Sequence, residues 1–179
     1  MPARAQVASV SAEPWMPKVD WEKLYSDLSC SASSPQAVVS ACLLGWSCRY
    51  DGRSKPQEDL RRRYSQGELV PICPEVQGGL PTPRIPAGLQ NGAGREVWLN
   101  TAQVVNREGC DVTAQFKKGA RVALAVAQRF NLHKAILKQH SPSCGCGSFG
   151  GADGQRHKGD GVTCALLKEN GIAVEAAGE

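Results

Sequence analysis

Three cysteines lie where apolar runs of the chain come to an end. Cys42 lies in the run 37–45, Cys73 lies in the run 68–75, and Cys144 follows the run AILKQ. Parallel strands bring their carboxyl ends to one edge of a sheet, so these thiols are expected to meet in one metal site. Soft thiolates select iron–sulfur clusters, zinc or Cu(I). Three protein ligands would leave one coordination position open, as is typical of a catalytic metal.

The spacing of these cysteines leaves other interpretations open. Intervals of 31 and 71 residues match neither zinc fingers nor ferredoxins, so three unrelated buried thiols are an alternative. Cys48 lies six residues after Cys42, and Cys146 lies two residues after Cys144. Either could be a fourth ligand, which would close the site and favour a structural or electron-transfer role. The CxC pair also occurs in redox relays.

The elements that would position these thiols alternate between strand and helix. Apolar runs predict strands at 37–45, 68–75, 134–139 and 172–176, and helical periodicity predicts helices at 56–67, 111–130 and 164–170. EVWL and TAQVVN are expected to form a small hairpin, and Gly/Pro-rich segments predict long loops at 76–94 and 147–161. The pattern indicates a three-layer α/β/α, Rossmann-like fold with a mainly parallel sheet and its site at the carboxyl ends of the strands.

The chain divides into an N-terminal arm and one domain. Residues 1–35 are expected to contain a short helix at 20–28, docked through its aromatic residues, and a linker. Residues 36–179 are expected to form a single catalytic domain. A net charge of +4 permits an anionic small substrate but is far below the basic load of a nucleic-acid binder.

The composition also predicts where the protein is located in the cell and what chemistry its cysteines serve. No apolar run approaches the length of a membrane span, and no secretory signal is recognisable, so a cytoplasmic protein is expected. Eight cysteines in such a chain favour metal or redox chemistry over disulfides. Cys30, Cys110 and Cys164 lie in no cysteine-bearing strand-end turn and are expected to be small buried hydrophobes.

Five ordered motifs resemble a small bacterial family that includes the iron–sulfur thiouracil desulfidases. They read SACLLGWSCRYDGRSK (40–55), VPICPEVQGGLPTPRIP (70–86), GCDVTAQFKKGA (109–120), SPSCGCG (141–147) and GDGVTCALLKENGI (159–172). The match covers nearly the whole chain beyond the arm. It departs from the family pattern at Gly88, where an acidic residue is expected.

The resemblance implies a cofactor, a reaction and catalytic residues. Family members hold a [4Fe–4S] cluster through three cysteines, which correspond to Cys42, Cys73 and Cys144, and leave one iron open. The implied reaction is a non-redox conversion of thiouracil or 4-thiouridine monophosphate to uracil or UMP with release of sulfide. Glu75 and Ser141 correspond to the family's acid–base candidates.

Elementary chemistry is consistent with these roles, and each has a simpler alternative. An iron would polarise the C–S bond as a Lewis acid, and Glu75 could accept a proton from the attacking water. Alternatively, Glu75 is a strand-end carboxylate that pairs with Arg84. Ser141 could hydrogen-bond at the reacting centre, or it could simply begin a turn, as Ser-Pro often does.

A nucleotide substrate would also need a phosphate site. The glycine-rich segment ending at Lys158, Gly159 and Gly161 leads into a predicted helix, whose amides could bind phosphate. Arg49 and Arg53 are rival partners. Thiolated tRNA is not expected as a substrate, because the charge is modest and no RNA-binding module is recognisable. The competing hypothesis is a non-catalytic iron–sulfur or zinc module.

Overall fold

The structure, a computed structural model, describes residues 18–32 and 34–179. The described chain has eight strands: β1 (Ala37–Ser40), β2 (Leu69–Ile72), β3 (Ala87–Gln90), β4 (Gln103–Asn106), β5 (Lys134–Lys138), β6 (Ser148–Gly150), β7 (Arg156–Lys158) and β8 (Ala173–Ala177). Four of them form one parallel sheet in the order β2–β1–β5–β8. The pairs β3–β4 and β6–β7 are separate antiparallel ribbons.

Helices cover both faces of the parallel sheet. The helices of the described chain are α1 (Trp21–Cys30), α2 (Glu58–Ser65), α3 (Pro74–Gln77), α4 (Gly94–Trp98), α5 (Thr113–Arg129) and α6 (Val162–Glu169). Of these, α4 packs against α6 and the β3–β4 ribbon instead of the parallel sheet. Val38 packs in a core with α1, α5 and α6, whereas its neighbour Val39 packs in a second core with Leu60 of α2. Successive side chains of a strand point to opposite faces, so each helical layer meets its own row of β1. The predicted three-layer α/β/α fold is confirmed.

The strands that carry the cysteines end earlier than the sequence predicts. β1 stops at Ser40, and Ala41–Leu44 form a 3-10 helix that Gly45 ends at a φ of 97°. β2 stops at Ile72 because Pro74 begins α3 in the first turn, where a missing N–H costs nothing. Each cysteine therefore lies just beyond its strand rather than within it.

The predicted hairpin of EVWL with TAQVVN is wrong. Glu96, Val97 and Trp98 belong to α4, and the carboxylate of Glu96 accepts a hydrogen bond from the amide of Ala93 at 3.0 Å. This bond satisfies one amide at the start of the helix, which a short apolar run does not reveal. The partner of β4 is β3, which lies inside the segment predicted as a loop.

The described part of the predicted arm docks on the domain. Tyr25 is 2% exposed, and its hydroxyl donates to the carbonyl of Pro71 at 2.9 Å and accepts from the side-chain amide of Gln77 at 2.9 Å. The aromatic docking of this helix is thus confirmed. Residues 1–17 of the arm lie outside the described residues, and the domain boundary at 35 stays a prediction. Within the described ranges, no helix is both long and apolar enough to cross a membrane.

Candidate metal centre and active site

A cavity of about 410 Å³ opens at the carboxyl edge of the parallel sheet. It lies beyond β1 and β5, where the strand order reverses, which is the usual ligand site of such sheets. The thiols that line it are Cys42, Cys48, Cys73 and Cys144, each between 2% and 8% exposed. The structure therefore brings the three predicted ligands together and adds Cys48 to them.

Local structure fixes the first two predicted ligands. Cys42 lies in the 3-10 helix, where its carbonyl accepts a hydrogen bond from the amide of Lys55 at 2.9 Å. The amide of Cys73 donates to the side-chain carbonyl of Gln77 at 2.9 Å. The backbone after Cys73 sits directly against α5 because Gly119 has no side chain; a Cβ there would collide with the carbonyl of Pro74.

The cysteine turn, residues 141–147, delivers Cys144. The hydroxyl oxygen of Ser141 accepts hydrogen bonds from the amides of Ser143 and Cys144, both at 3.0 Å. Carbonyls of the turn then cap α6: the amide of Val162 donates to Pro142 and that of Thr163 donates to Ser143, both at 2.9 Å. The turn is thus fastened to the helix that follows it.

The buried thiols differ in their affinity for protons. Hydrogen bonds from Cys48 lower the pKa of Cys42, because they stabilise its thiolate. The pKa of Cys48 is raised well above its usual value by its hydrogen bonds to Cys42 and Cys73, with burial adding to the shift. Burial raises the pKa of Cys144 strongly. Such thiols would lose their protons on binding a metal.

Glu75, Arg84 and Ser141 form a connected polar group beside the thiols. The guanidinium Nε of Arg84 donates to Glu75 Oε2 at 2.7 Å, and its Nη2 donates to the carbonyl of Cys48 at 3.1 Å. The hydroxyl of Ser141 lies 3.5 Å from Glu75 Oε1 as a long donor. Burial alone would lower the pKa of Arg84, but the negative charge of Glu75 opposes this and the net direction is upward. Both alternatives from the sequence, the Arg84 pair and the turn role of Ser141, are therefore present within the site.

The residues predicted to bind phosphate do not lie together in the structure. Arg49 lines the cavity, whereas Lys158 lines a neighbouring one. The amides of Gly159 and Gly161 donate to the carbonyls of Gly147 and Gly145 at 3.2 and 2.8 Å, so neither is offered to a phosphate. Of the candidates named from the sequence, Arg49 is the one beside the thiols.

Positive charge dominates the cavity wall. Among the described residues its lining includes the cations Arg49, Lys55, Arg84, Arg107, Lys138 and Arg156 and the acids Glu75 and Glu179. Burial is the main cause that lowers the pKa of Lys138, with Lys55 adding repulsion. An anionic ligand suits such a wall.

Sequence reasoning missed two residues that end strands in this wall. Ser40 closes β1, is 3% exposed, and its hydroxyl accepts a hydrogen bond from the amide of Lys138 at 2.9 Å. Lys138 closes β5. A polar residue at the end of an apolar run was the available signal, since that end faces the ligand site in a parallel sheet.

Gly88, where the chain departs from the family pattern, also lines the cavity. A Cβ at this position would collide with the backbone of Gly151, and the neighbouring amide of Ala152 donates to Leu89 at 2.9 Å. Close packing of two backbone segments therefore explains the glycine.

The other cysteines differ in their burial. Cys164 is buried as expected, but Cys30 and Cys110 are exposed, so the prediction of buried hydrophobes is wrong for those two. Cys30 ends a surface helix and Cys110 follows a turn, and neither position faces a core. Cys146 does not line the cavity.

The donor set of the cavity fits an iron–sulfur cluster. Its members are thiols, and the irons of a [4Fe–4S] cluster are held by separate thiolates.

Known proteins of similar sequence and fold indicate the family of this chain. A solved structure named as the [4Fe-4S]-dependent thiouracil desulfidase TudS is 42% identical, with a TM-score of 0.70, over 79% of this chain and 90% of that one. The uncharacterized protein YbbK of Bacillus subtilis (strain 168) is 42% identical over 144 residues, which are 79% of this chain and 95% of YbbK. The model of the 2-thiouracil desulfurase family matches residues 37–179. The chain belongs to the 2-thiouracil desulfurase family.

Proposed function

We propose that this chain is an enzyme that removes sulfur from thiolated pyrimidines, using a [4Fe–4S] cluster held by Cys42, Cys73 and Cys144. The observation that carries the proposal is the meeting of these thiols with Glu75 and Ser141 in one cationic cavity. Membership of the family and the likeness to the desulfidase support it. Cytoplasmic location and nucleotide salvage would accord with this activity.

The residues around the thiols suit hydrolysis of a thiocarbonyl. A bound cluster with an open iron would supply a Lewis acid for the thione sulfur. Glu75 would accept a proton from the attacking water, whose oxygen becomes the carbonyl oxygen while sulfur leaves as sulfide; no electrons are exchanged with a redox partner. Arg84 holds the Glu75 carboxylate in place through its 2.7 Å bond, and the free lone pairs of that carboxylate remain for the water.

Ser141 would orient the substrate. Its oxygen already accepts two amide hydrogen bonds, so its one proton is available for donation. The Ser141 hydroxyl oxygen lies 3.5 Å from Glu75 Oε1, a contact long enough to be exchanged for a substrate carbonyl or ring nitrogen. Glu75 and Ser141 thus form the acid–base pair of the proposal.

The substrate preference would follow from the cations of the cavity. Arg49 and Arg156 lie on its wall, and a 5′-monophosphate could bind Arg49 more closely than Asp51 does at 3.7 Å. A volume of about 410 Å³ suits a base or a mononucleotide. We therefore propose 4-thiouridine monophosphate as a better substrate than the free base.

A second candidate rests on Cys48. This thiol is 2% exposed and lines the cavity with Cys42 and Cys73, so it could be a fourth ligand. A closed site would make the protein an electron-transfer or sensing module. Cys48→Ala separates the two: the desulfidase retains cluster and turnover, whereas the closed module loses cluster stability.

Anaerobic reconstitution with iron and sulfide, followed by a sulfide-release assay, tests the proposal. The wild type is assayed with thiouracil, 4-thiouridine and 4-thiouridine monophosphate. Arg49→Ala is expected to raise KM for the monophosphate and to leave KM for the other two compounds unchanged. Cys110→Ala, at an exposed cysteine, is the matched control. A stable cluster that releases no sulfide from any of the three compounds would reject the enzyme and favour the module.

A further inference from the structure

A second group of metal-binding atoms lies outside the cavity. The sulfurs of Cys146 and Cys164 and a carboxylate oxygen of Asp160 all lie within 4.8 Å of one another. Cys164 is fully buried in the first turn of α6, and Asp160 lies two residues before that helix. Cys146 is half-buried at the end of the cysteine turn. None of the three lines the cavity, so they are free to serve a separate ion.

The carboxylate of this group is oriented by its neighbours. Asp160 Oδ1 accepts a hydrogen bond from the amide of Gly147 at 2.7 Å, and Lys168 Nζ donates to both oxygens at 2.9 and 2.8 Å. The thiol of Cys164 also hydrogen-bonds to this carboxylate, and it would release that bond on losing its proton to a metal. Outer contacts such as those from Gly147 and Lys168 are how proteins usually fix the ligands of a metal.

The donor types indicate which metal would bind. Thiolates and carboxylates are both zinc ligands, the compact arrangement of these three suits one ion, and a water would take the fourth position. A divalent ion with these three anionic ligands carries one excess negative charge, and the ammonium of Lys168 balances it. Lys168 is therefore compatible with an ion at this place.

We propose that Cys146, Asp160 and Cys164 form a mononuclear zinc site, independent of the cluster. The ion would link the end of the cysteine turn to the start of α6, two segments already joined by the bond from Gly161 N to the Gly145 carbonyl at 2.8 Å. Because Cys144 lies within the same turn, zinc would stabilise the segment that supplies a cavity thiol. Ligand binding to the folded state raises stability by mass action.

Zinc binding by the cluster-loaded full chain tests this site. The protein is titrated anaerobically with Zn²⁺ against a chromophoric chelator, and iron and zinc are counted per chain. We expect one tight zinc in the wild type and in the control Cys110→Ala. Cys146→Ala and Asp160→Asn should each lose that zinc while keeping their iron, and zinc should raise the Tm of the wild type but not of either variant.

Other outcomes of the titration overturn the site. The proposed site is rejected if the wild type and Cys146→Ala bind equal amounts of zinc per chain. It is also rejected if zinc binding is lost only when cavity cysteines are replaced. A Cys146–Cys164 disulfide in mildly oxidised protein, with no zinc bound by the reduced form, would assign the pair to redox chemistry instead. Because Cys146 is half-buried, its replacement by alanine should leave the fold intact, and unchanged iron content verifies this.

Discussion

Cys144 and Cys146 are separated by one glycine, yet they lie in different surroundings. Cys144 meets three other thiols in a cavity whose wall is mostly cationic. Cys146 meets one thiol and one carboxylate in a compact group beside Lys168. The same short turn therefore contributes to two donor sets of different size and charge. Spacing along the chain does not distinguish the two donor sets, whereas the residues that surround each cysteine in the fold do.

Removing a cavity thiol should give the largest effect. Cys42→Ala, Cys73→Ala and Cys144→Ala are each expected to lose the cluster and all sulfide release, because only two of the three proposed ligands would remain to hold it. Iron content and visible absorbance after anaerobic reconstitution measure the loss. Cys146→Ala is the comparison variant and should keep both. If Cys146→Ala loses as much iron as the cavity variants, the two regions belong to one metal site.

Glu75→Gln should separate chemistry from cofactor binding. The variant retains the thiols and is expected to keep its absorbance, but turnover should fall by about 10²–10⁴-fold because the general base is absent. Steady-state sulfide release, normalised to iron content, measures the effect. Glu108→Gln, at an exposed surface position, is the control and should be fully active. An active Glu75→Gln would remove this residue from the mechanism.

Arg84→Met should lower the free energy of unfolding. Arg84 is 6% exposed, Glu75 is 17% exposed, and the change leaves that carboxylate without its ion pair. Breaking a buried pair on one side typically costs about 3–5 kcal/mol in the free energy of unfolding, which urea denaturation of the cluster-free protein would measure. Asp27→Asn breaks an exposed pair with Lys23 and should cause no measurable change. Similar values for both variants would mean that the Arg84 pair is effectively solvated.

Tyr25→Phe should have the smallest effect. The hydroxyl of Tyr25 bonds Pro71 and Gln77, and Gln77 in turn accepts from the amide of Cys73, so α1 is connected to the cavity region. Loss of the hydroxyl should reduce the free energy of unfolding by about 1–2 kcal/mol, again by urea denaturation. Cluster content should be unchanged. A variant that loses iron would show that α1 belongs functionally to the site.

Much of the cavity could be predicted from the sequence, because parallel strands leave few places for the residues at their ends. Cys42, Cys73 and Cys144 each follow a buried strand, and the topology then fixes one common edge. The 3-10 helix after β1 was not predicted, since an apolar run does not show where extended backbone gives way to a turn. The position of Cys48 depends on that turn and was therefore left open.

The second donor group could not be predicted by the same reasoning. Cys146 and Cys164 lie 18 residues apart around a glycine-rich segment, and their meeting depends on the packing of the cysteine turn against α6. The sequence predicts a buried hydrophobe at Cys164, and this residue is fully buried. Burial and ligation are not exclusive for a thiol, so composition could not separate them.

Sulfide release in isotopically labelled water tests the central proposal most directly. The cluster-loaded protein is given 4-thiouridine monophosphate anaerobically, without oxidant or reductant, and sulfide and UMP are quantified together with mass analysis of the base. The proposal predicts equal amounts of sulfide and UMP, with one labelled oxygen in each UMP. Cluster-loaded protein that yields no sulfide, or that yields UMP without label, would contradict hydrolysis in this cavity.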